Sequence, residues 1–341
     1  MKSLPNRIAI SALLGAALLG VCLLTAGSSS GQSAPTADDP SAHPGRLVQL
    51  PDGRRMNFRC SGAGSPTVIF ESGFEGTSMA WYKVAPLIAK SRRACAYDRA
   101  GSGFSDAGPL PRDGASIAKD LDQGLKAAGI GGPYVMVGHS AGGLYVRLFA
   151  DRRPRDVVGM VLVDPSVEHQ DTRFAAAFGP GAGALTALHD RVARCLAAAE
   201  RNGLPSGDPQ LAPCVPPRRP QESVAAYDAR LAQAVRPAAW RTQLSELDTL
   251  WTTTSDQMDL GRSSYGDMPL IVLTATTTYA GPPGSANEAA GRLWTSLHRE
   301  IAARSSRGEE QAVAGSGHLM MLDRPDAIAA AVEKVISEAR R

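Results

Sequence analysis

The chain has 341 residues, 43% of them hydrophobic, and a formal net charge of +3. That apolar content is enough to bury one large α/β domain or two ordinary ones, and it excludes a disordered chain. Lys2 and Arg7 contribute to the positive charge from the first segment, so the rest is close to neutral and a nucleic-acid partner is not expected.

Residues 1–28 open with a short basic stretch and continue as the uncharged run Ile8 to Ala26, the pattern of an export signal. Ala26-Gly27-Ser28 suits cleavage, although the run is long enough to span a bilayer as an uncleaved anchor. Val21 precedes Cys22 where lipoprotein processing requires a small residue, so lipidation is not expected. Residues 29–45 read as a flexible Ser/Gly/Pro/Ala-rich linker. An exported chain meets an oxidising compartment, and the other four cysteines are expected to pair as Cys60 with Cys95 and Cys195 with Cys214; four buried thiols are the alternative. With neither C-x-x-C nor a His/Cys cluster, a zinc site has no support.

Two strands, Arg46 to Leu50 and Arg55 to Cys60, are joined at the hairpin signal Pro51-Asp52-Gly53. The strand Thr67 to Glu71 runs into Ser72-Gly73-Phe74, a glycine loop able to aim backbone amides inward, and the Phe74 N–H is the candidate for one oxyanion donor. A helix over Trp81 to Lys90 and a strand over Arg93 to Tyr97 lead into the glycine-rich turn Asp98 to Ser105. That turn lacks both the P-loop ending and the third glycine of a dinucleotide fingerprint, so Asp98 and Arg99 read as structural. A helix over Ser116 to Gly129 follows.

Pro133 to Gly143 reads P-Y-V-M-V-G-H-S-A-G-G, a β-branched strand, a G-x-S-x-G turn and then a helix. In this context Ser140 stands exposed at a tight bend as a candidate nucleophile, and the Ala141 amide at the helix start is the second candidate oxyanion donor. Val157 to Val163 is the next strand, ending at Asp164-Pro165. The strand rhythm then stops: residues 165–268 carry candidate helices at Phe174 to Phe178, Leu185 to Arg201, Ser223 to Val235 and Ala239 to Thr252, and read as a helical cap. The sheet resumes at Leu270 to Ala275. A helix over Ala289 to Ser305, a strand over Gln311 to Ala314, Gly315-Ser316-Gly317-His318 and a helix over Pro325 to Arg340 complete the chain.

Alternating strands and helices predict a mostly parallel sheet with chemistry at the carboxyl ends of its strands. Glu71-Ser72-Gly73-Phe74, the Tyr97 to Ser105 turn, Gly138-His139-Ser140-Ala141-Gly142-Gly143 and Ser316-Gly317-His318, in this order, resemble the α/β-hydrolase fold family over residues 46–341. The resemblance implies a core of residues 46–164 and 269–341 with the helical cap of 165–268 in the family's usual place. One departure is Ser72-Gly73 where relatives often carry His-Gly; an amide role needs no side chain.

Serine needs an adjacent base, and His318 is the candidate. Of the other histidines, His43 is in the linker, His169 and His189 belong to the insertion, His298 is expected to be solvent-exposed on its helix, and His139 should diverge from its neighbour Ser140. The family usually supplies the triad acid after the strand that corresponds to Leu270 to Ala275, but the loop after that strand has no carboxylate before Glu288. Some relatives place the acid one strand earlier, where Asp164 stands; Glu288, Glu168 and Asp171 remain alternatives.

The expected activity is hydrolysis of a carboxylic ester by an exported serine hydrolase through Ser140, His318 and Asp164, with no metal or organic cofactor. Aminopeptidase, thioesterase and cofactor-free haloperoxidase activities compete on the same scaffold, as does a ligand-binding protein of low turnover. Epoxide hydrolase and haloalkane dehalogenase chemistry would require a carboxylate where Ser140 stands.

Overall fold

The computed structural model describes residues 39–183, 185–215, 217–218 and 222–339. The expected export signal or anchor, and most of the expected linker, lie outside the described residues. Eight strands form one sheet: β1 (Arg46–Gln49), β2 (Arg55–Ser61), β3 (Thr67–Glu71), β4 (Ala94–Tyr97), β5 (Tyr134–His139), β6 (Val157–Val163), β7 (Leu270–Ala275) and β8 (Gly308–Val313). Their spatial order is β1-β2-β4-β3-β5-β6-β7-β8. The first two joins, β1 to β2 and β2 to β4, are antiparallel; the rest are parallel.

The helices are α1 (Ala85–Ile88), α2 (Gly114–Ala127), α3 (Gly142–Arg152), α4 (Gln170–Phe178), α5 (Thr186–Glu200), α6 (Val224–Ala234), α7 (Pro237–Leu250), α8 (Thr253–Asp259), α9 (Ala286–Ala302), α10 (Met320–Asp323) and α11 (Pro325–Ala339). Successive side chains on a strand point to opposite faces, and the central strands are apolar at every step because both faces are covered. Met136 and Leu162 pack with Leu121, Leu144 and Trp294 from α2, α3 and α9 on one face. Val135, Val137, Val161 and Val163 pack with Ile88, Ile328 and Val332 from α1 and α11 on the other.

Five helices, α4 to α8, lie between β6 and β7. Part of this segment has its own apolar centre around Val192, Cys195, Leu204, Trp240 and Leu247. Disulfides join Cys60 to Cys95, which face each other across β2 and β4, and Cys195 on α5 to Cys214.

Several elements differ from the sequence expectation for local reasons. The helix expected over Trp81 to Lys90 shrinks to a 3-10 turn, Ser78–Trp81, and the single turn α1. Pro86 lacks an N–H and fits only the first turn of a helix, so α1 starts beside it rather than passing through. β8 begins at Gly308, three residues before the expected start, because this edge strand opens with Glu309, which is exposed, and Glu310, which pairs with Arg299, and so lacks an apolar signal there. α8 is polar in sequence and has no counterpart among the expected helices. Its Thr254 hydroxyl receives the Gly114 N–H at 2.9 Å and so stops the start of α2 against it. The end of the expected linker is docked: Asp39 caps the 3-10 turn Pro40–Ala42 and accepts a hydrogen bond from Ser223 at the start of α6 at 2.9 Å.

Close approach of α3 to β5 depends on glycine. A Cβ at Gly138 would lie 2.5 Å from the Gly142 carbonyl oxygen and 2.7 Å from a Val146 methyl. Gly138→Ala is therefore expected to destabilise the protein by about 1–3 kcal/mol through overpacking, read from urea unfolding.

Candidate active site

The carboxyl ends of β3, β5, β6, β7 and β8 deliver the loops of the candidate site side by side. Ser140 follows β5 directly and has φ +52°, a left-handed conformation that costs a non-glycine residue on the order of 1 kcal/mol. The bend is held from several sides. The Ser140 N–H donates to Val163 O at 3.2 Å, and Ser140 O accepts from the Gly143 and Ser166 N–H groups at 2.8 and 3.0 Å. Asp164, one residue beyond β6, is also left-handed at φ +42°. The two strained non-glycine residues at adjacent strand ends are both residues singled out from the sequence.

The Asp164 carboxylate is fully buried and accepts four hydrogen bonds. Its Oδ1 takes the Ala275 N–H at 3.0 Å and the Trp294 indole N–H at 2.8 Å. Its Oδ2 takes the Thr278 hydroxyl at 2.9 Å and His318 Nδ1 at 2.7 Å. Burial alone would raise the acid's pKa, but the hydrogen bond from His318, supported by the other donors, outweighs it and holds the carboxyl at about 2. Asp164 is thus an anion that fixes a proton on His318 Nδ1. His318 Nε2 has no hydrogen-bond partner among the described residues and is the nitrogen left for chemistry.

The competing carboxylates are placed elsewhere. Glu288 is exposed at the start of α9, bound to the Gly284 N–H at 2.6 Å and to Arg292 at 2.8 Å. Glu168 pairs with Arg147 and with Arg304, the latter at 2.8 Å, and Asp171 bonds the Thr172 N–H at 2.7 Å. Asp98 receives the Ser78 and Phe104 N–H groups and the Asn57 amide at 2.7, 2.9 and 2.8 Å, which knits the Asp98 to Ser105 turn to its surroundings.

Of the two expected oxyanion donors, Ala141 follows Ser140 directly in the elbow and Phe74 follows Gly73 on the neighbouring loop. Gly73 lies directly against it: a Cβ there would come within 3.0 Å of Ser140 Cβ and 2.8 Å of His139 Nδ1. Neither the Phe74 nor the Ala141 N–H has a partner among the described residues, so both remain available as donors. The Ser140 hydroxyl makes no hydrogen bond within the described residues either; the His318–Asp164 pair is assembled while the serine–histidine bond is not formed.

Three contributors carry no signal of their role in the sequence. Trp294 and Thr278 complete the shell around Asp164; Thr278 belongs to a threonine run that stands out only for lacking a carboxylate. His139 does diverge from Ser140, but its Nε2 donates to His318 O at 2.8 Å and its ring packs 4.7 Å from the His318 ring. Only the Nε2–H form can make that bond to a carbonyl. Burial, then the neighbouring His318, keeps His139 neutral and its pKa down at about 3. The expectation that His298 is solvent-exposed is corrected. It is fully buried on α9, bonded to Pro165 O at 2.9 Å and the Thr274 hydroxyl at 2.8 Å, with its ring tilted against Trp294 at 4.4 Å between centroids. Its face of α9 is the one turned to the sheet. Among the described residues no cluster of His, Cys, Asp or Glu could hold a metal ion.

Residues 60–331 match the model of the alpha/beta hydrolase family. The chain is 35% identical over 106 residues to the uncharacterised protein YqjL of Bacillus subtilis, covering 31% of this chain and 42% of that one. It is 36% identical over 112 residues to an AB hydrolase superfamily protein of Gibberella zeae, covering 31% and 35%. The chain thus spans less than half the length of these curated relatives. A solved structure of a Pseudomonas aeruginosa variant, provisionally assigned as an epoxide hydrolase, superposes with TM-score 0.63 at 20% identity over 86% of this chain and 97% of that one. Epoxide hydrolase CorEH superposes with TM-score 0.59 at 15% identity over 86% and 98%.

A buried imidazole that cannot accept a proton in the folded state makes stability fall with acid. For His139 the stabilisation is full above the ordinary value of 6.5 and is lost as pH falls from there towards about 3. His139→Gln keeps a donor for His318 O but removes the titration. Its melting temperature is expected to decline less than wild type between pH 6.5 and 4.5, a difference of up to about 2 kcal/mol in the stability change, measured by thermal unfolding. The family match and the eight-stranded, mostly parallel sheet agree, and the chain belongs to the α/β-hydrolase family and has its fold.

Proposed function

We propose that the protein is an exported serine hydrolase that cleaves carboxylic esters of small molecules. The observation that carries this reading is the 2.7 Å bond between buried Asp164 and His318 Nδ1, at the sheet edge where Ser140 occupies the nucleophile elbow. Ser140 would attack the ester carbonyl while His318 Nε2 takes its proton and returns it to the departing alcohol. The Phe74 and Ala141 amides would receive the negative charge on the carbonyl oxygen, and water would release the acyl group by the same steps. Neighbours named as epoxide hydrolases share the fold, but a carboxylate nucleophile has no counterpart in this chain, since the elbow residue is Ser140.

An ester is favoured over a peptide with a free amino end because the carboxylates near the oxyanion loop already have cationic partners. Glu71 and Glu246 are paired with Arg99, and Glu75 is paired with Arg191 at 2.7 Å. Phe74 on the expected oxyanion loop and Tyr279 on the loop after β7 are partly buried apolar side chains next to the candidate site and suit an acyl or alcohol group. The helices α4 to α7 would then act as a cap over the site. Two disulfides support export, since such bonds persist in oxidising compartments.

A fluorophosphonate is expected to label the wild-type protein and not Ser140→Ala; an unlabelled wild type would overturn the serine mechanism. With p-nitrophenyl esters of graded acyl length and a p-nitroanilide control, turnover is expected for the esters, and a preference for the anilide would overturn the ester assignment alone. Asp164→Asn is expected to lower kcat by about 10³–10⁴-fold through loss of the His318 tautomer, measured on the best ester.

A further inference from the structure

We infer that Arg99 is a positioning residue that aims the Phe74 amide into the active site, and that Glu246 ties this alignment to α7 of the inserted helices. The inference rests on the proposed role of that amide in holding an oxyanion.

Arg99 is buried, and all five of its N–H groups are engaged. Nη1 donates to Glu71 Oε1 at 2.7 Å and to Ser72 O at 2.6 Å. Nη2 donates to Gly73 O at 2.9 Å and to Glu246 Oε2 at 3.0 Å, and Nε donates to Glu246 Oε1 at 3.1 Å. The guanidinium rests over the Tyr145 ring, 5.3 Å from its centroid. Two consecutive carbonyls of the oxyanion loop are therefore drawn to one side by a single planar fork.

In a trans peptide the C=O and the following N–H point in opposite directions. Holding Gly73 O on Arg99 turns the Phe74 N–H the other way, away from the buried guanidinium, and that N–H is without a partner among the described residues. The loop has little room to choose another position. A Cβ on Gly142 would lie 2.7 Å from both Glu71 O and Ser72 O, so the loop backbone is pressed on the first turn of α3. Glu246 comes from α7, beyond β6 in the chain, and its two-point grip on Arg99 joins the inserted helices to the loop that would hold the transition-state charge.

Arg99→Lys keeps the positive charge between the two glutamates but cannot form the fork, since an ammonium offers three donors from one point. On the best p-nitrophenyl ester this variant is expected to lose about 10–100-fold in kcat with KM within about twofold of wild type. The inhibition constant of a trifluoromethyl ketone, whose adduct places an oxyanion in the same site, is expected to rise by the same factor as kcat/KM falls. Glu246→Gln retains one acceptor and is expected to lose about 3–10-fold in kcat with the same parallel. A folded Arg99→Lys protein with unchanged kcat, or a loss confined to KM, would overturn the inference. Should that variant fail to fold, Glu246→Gln decides: unchanged kcat and ketone affinity overturn it, and a parallel loss supports it. A wild-type protein that neither cleaves esters nor reacts with a fluorophosphonate removes the functional reading itself, and this inference with it; an active wild type beside an unaffected variant removes the inference alone.

Discussion

A carboxylate sealed from water survives as an anion only where donors replace the water it has lost, and Asp164 sets that condition for the whole candidate catalytic edge. Its four donors come from the end of β7, the loop that follows, α9 and the loop after β8. None of these segments is near Asp164 in sequence, so the ion is stable only once the right half of the sheet and its covering helix have assembled. The orientation of His318 is therefore a product of the complete fold. His139 adds a restraint from the elbow side by holding the His318 carbonyl, so His318 is gripped at both its ring and its backbone.

The parts of this arrangement that can be read from the chain are those that depend on backbone chemistry over a few residues. The glycines around Ser140, the apolar strands on either side and the short loop to His318 each carry a local signal, and the strand-end position of Asp164 follows from the run of β-branched residues before Pro165. The remaining site residues lack any such signal. Trp294 looks like one more apolar residue on an amphipathic helix, and only the turn of α9 against the sheet brings its indole N–H to the carboxylate. His298 departs from expectation for the same reason, because helix polarity does not say which polar residue will find partners inside. Arg99 is structural, as its turn suggests, yet the five acceptors that give it a purpose come from distant segments. Among the secondary elements, the differences fall where polarity masks burial or pairing, as in α8 and the start of β8, or where one proline overrides an otherwise helical stretch, as before α1.

Shared architecture leaves the reaction open. Epoxide hydrolase CorEH superposes on most of this chain at 15% identity, and the fold is what the two share. In this chain the elbow residue is a serine, whose hydroxyl would form an acyl ester, whereas opening an epoxide through a covalent ester needs a carboxylate nucleophile.

The link between Arg99 and Glu246 also bears on how such a protein can diversify. The helices between β6 and β7 look like a module open to replacement, but removing them would strip a buried cation of one of its two counter-ions. A transplanted segment must bring an acidic side chain to the same place, or arrive with a neutral substitute for the arginine. Exchanging that region would accordingly have to be a paired change, with the graft and position 99 of the scaffold altered together.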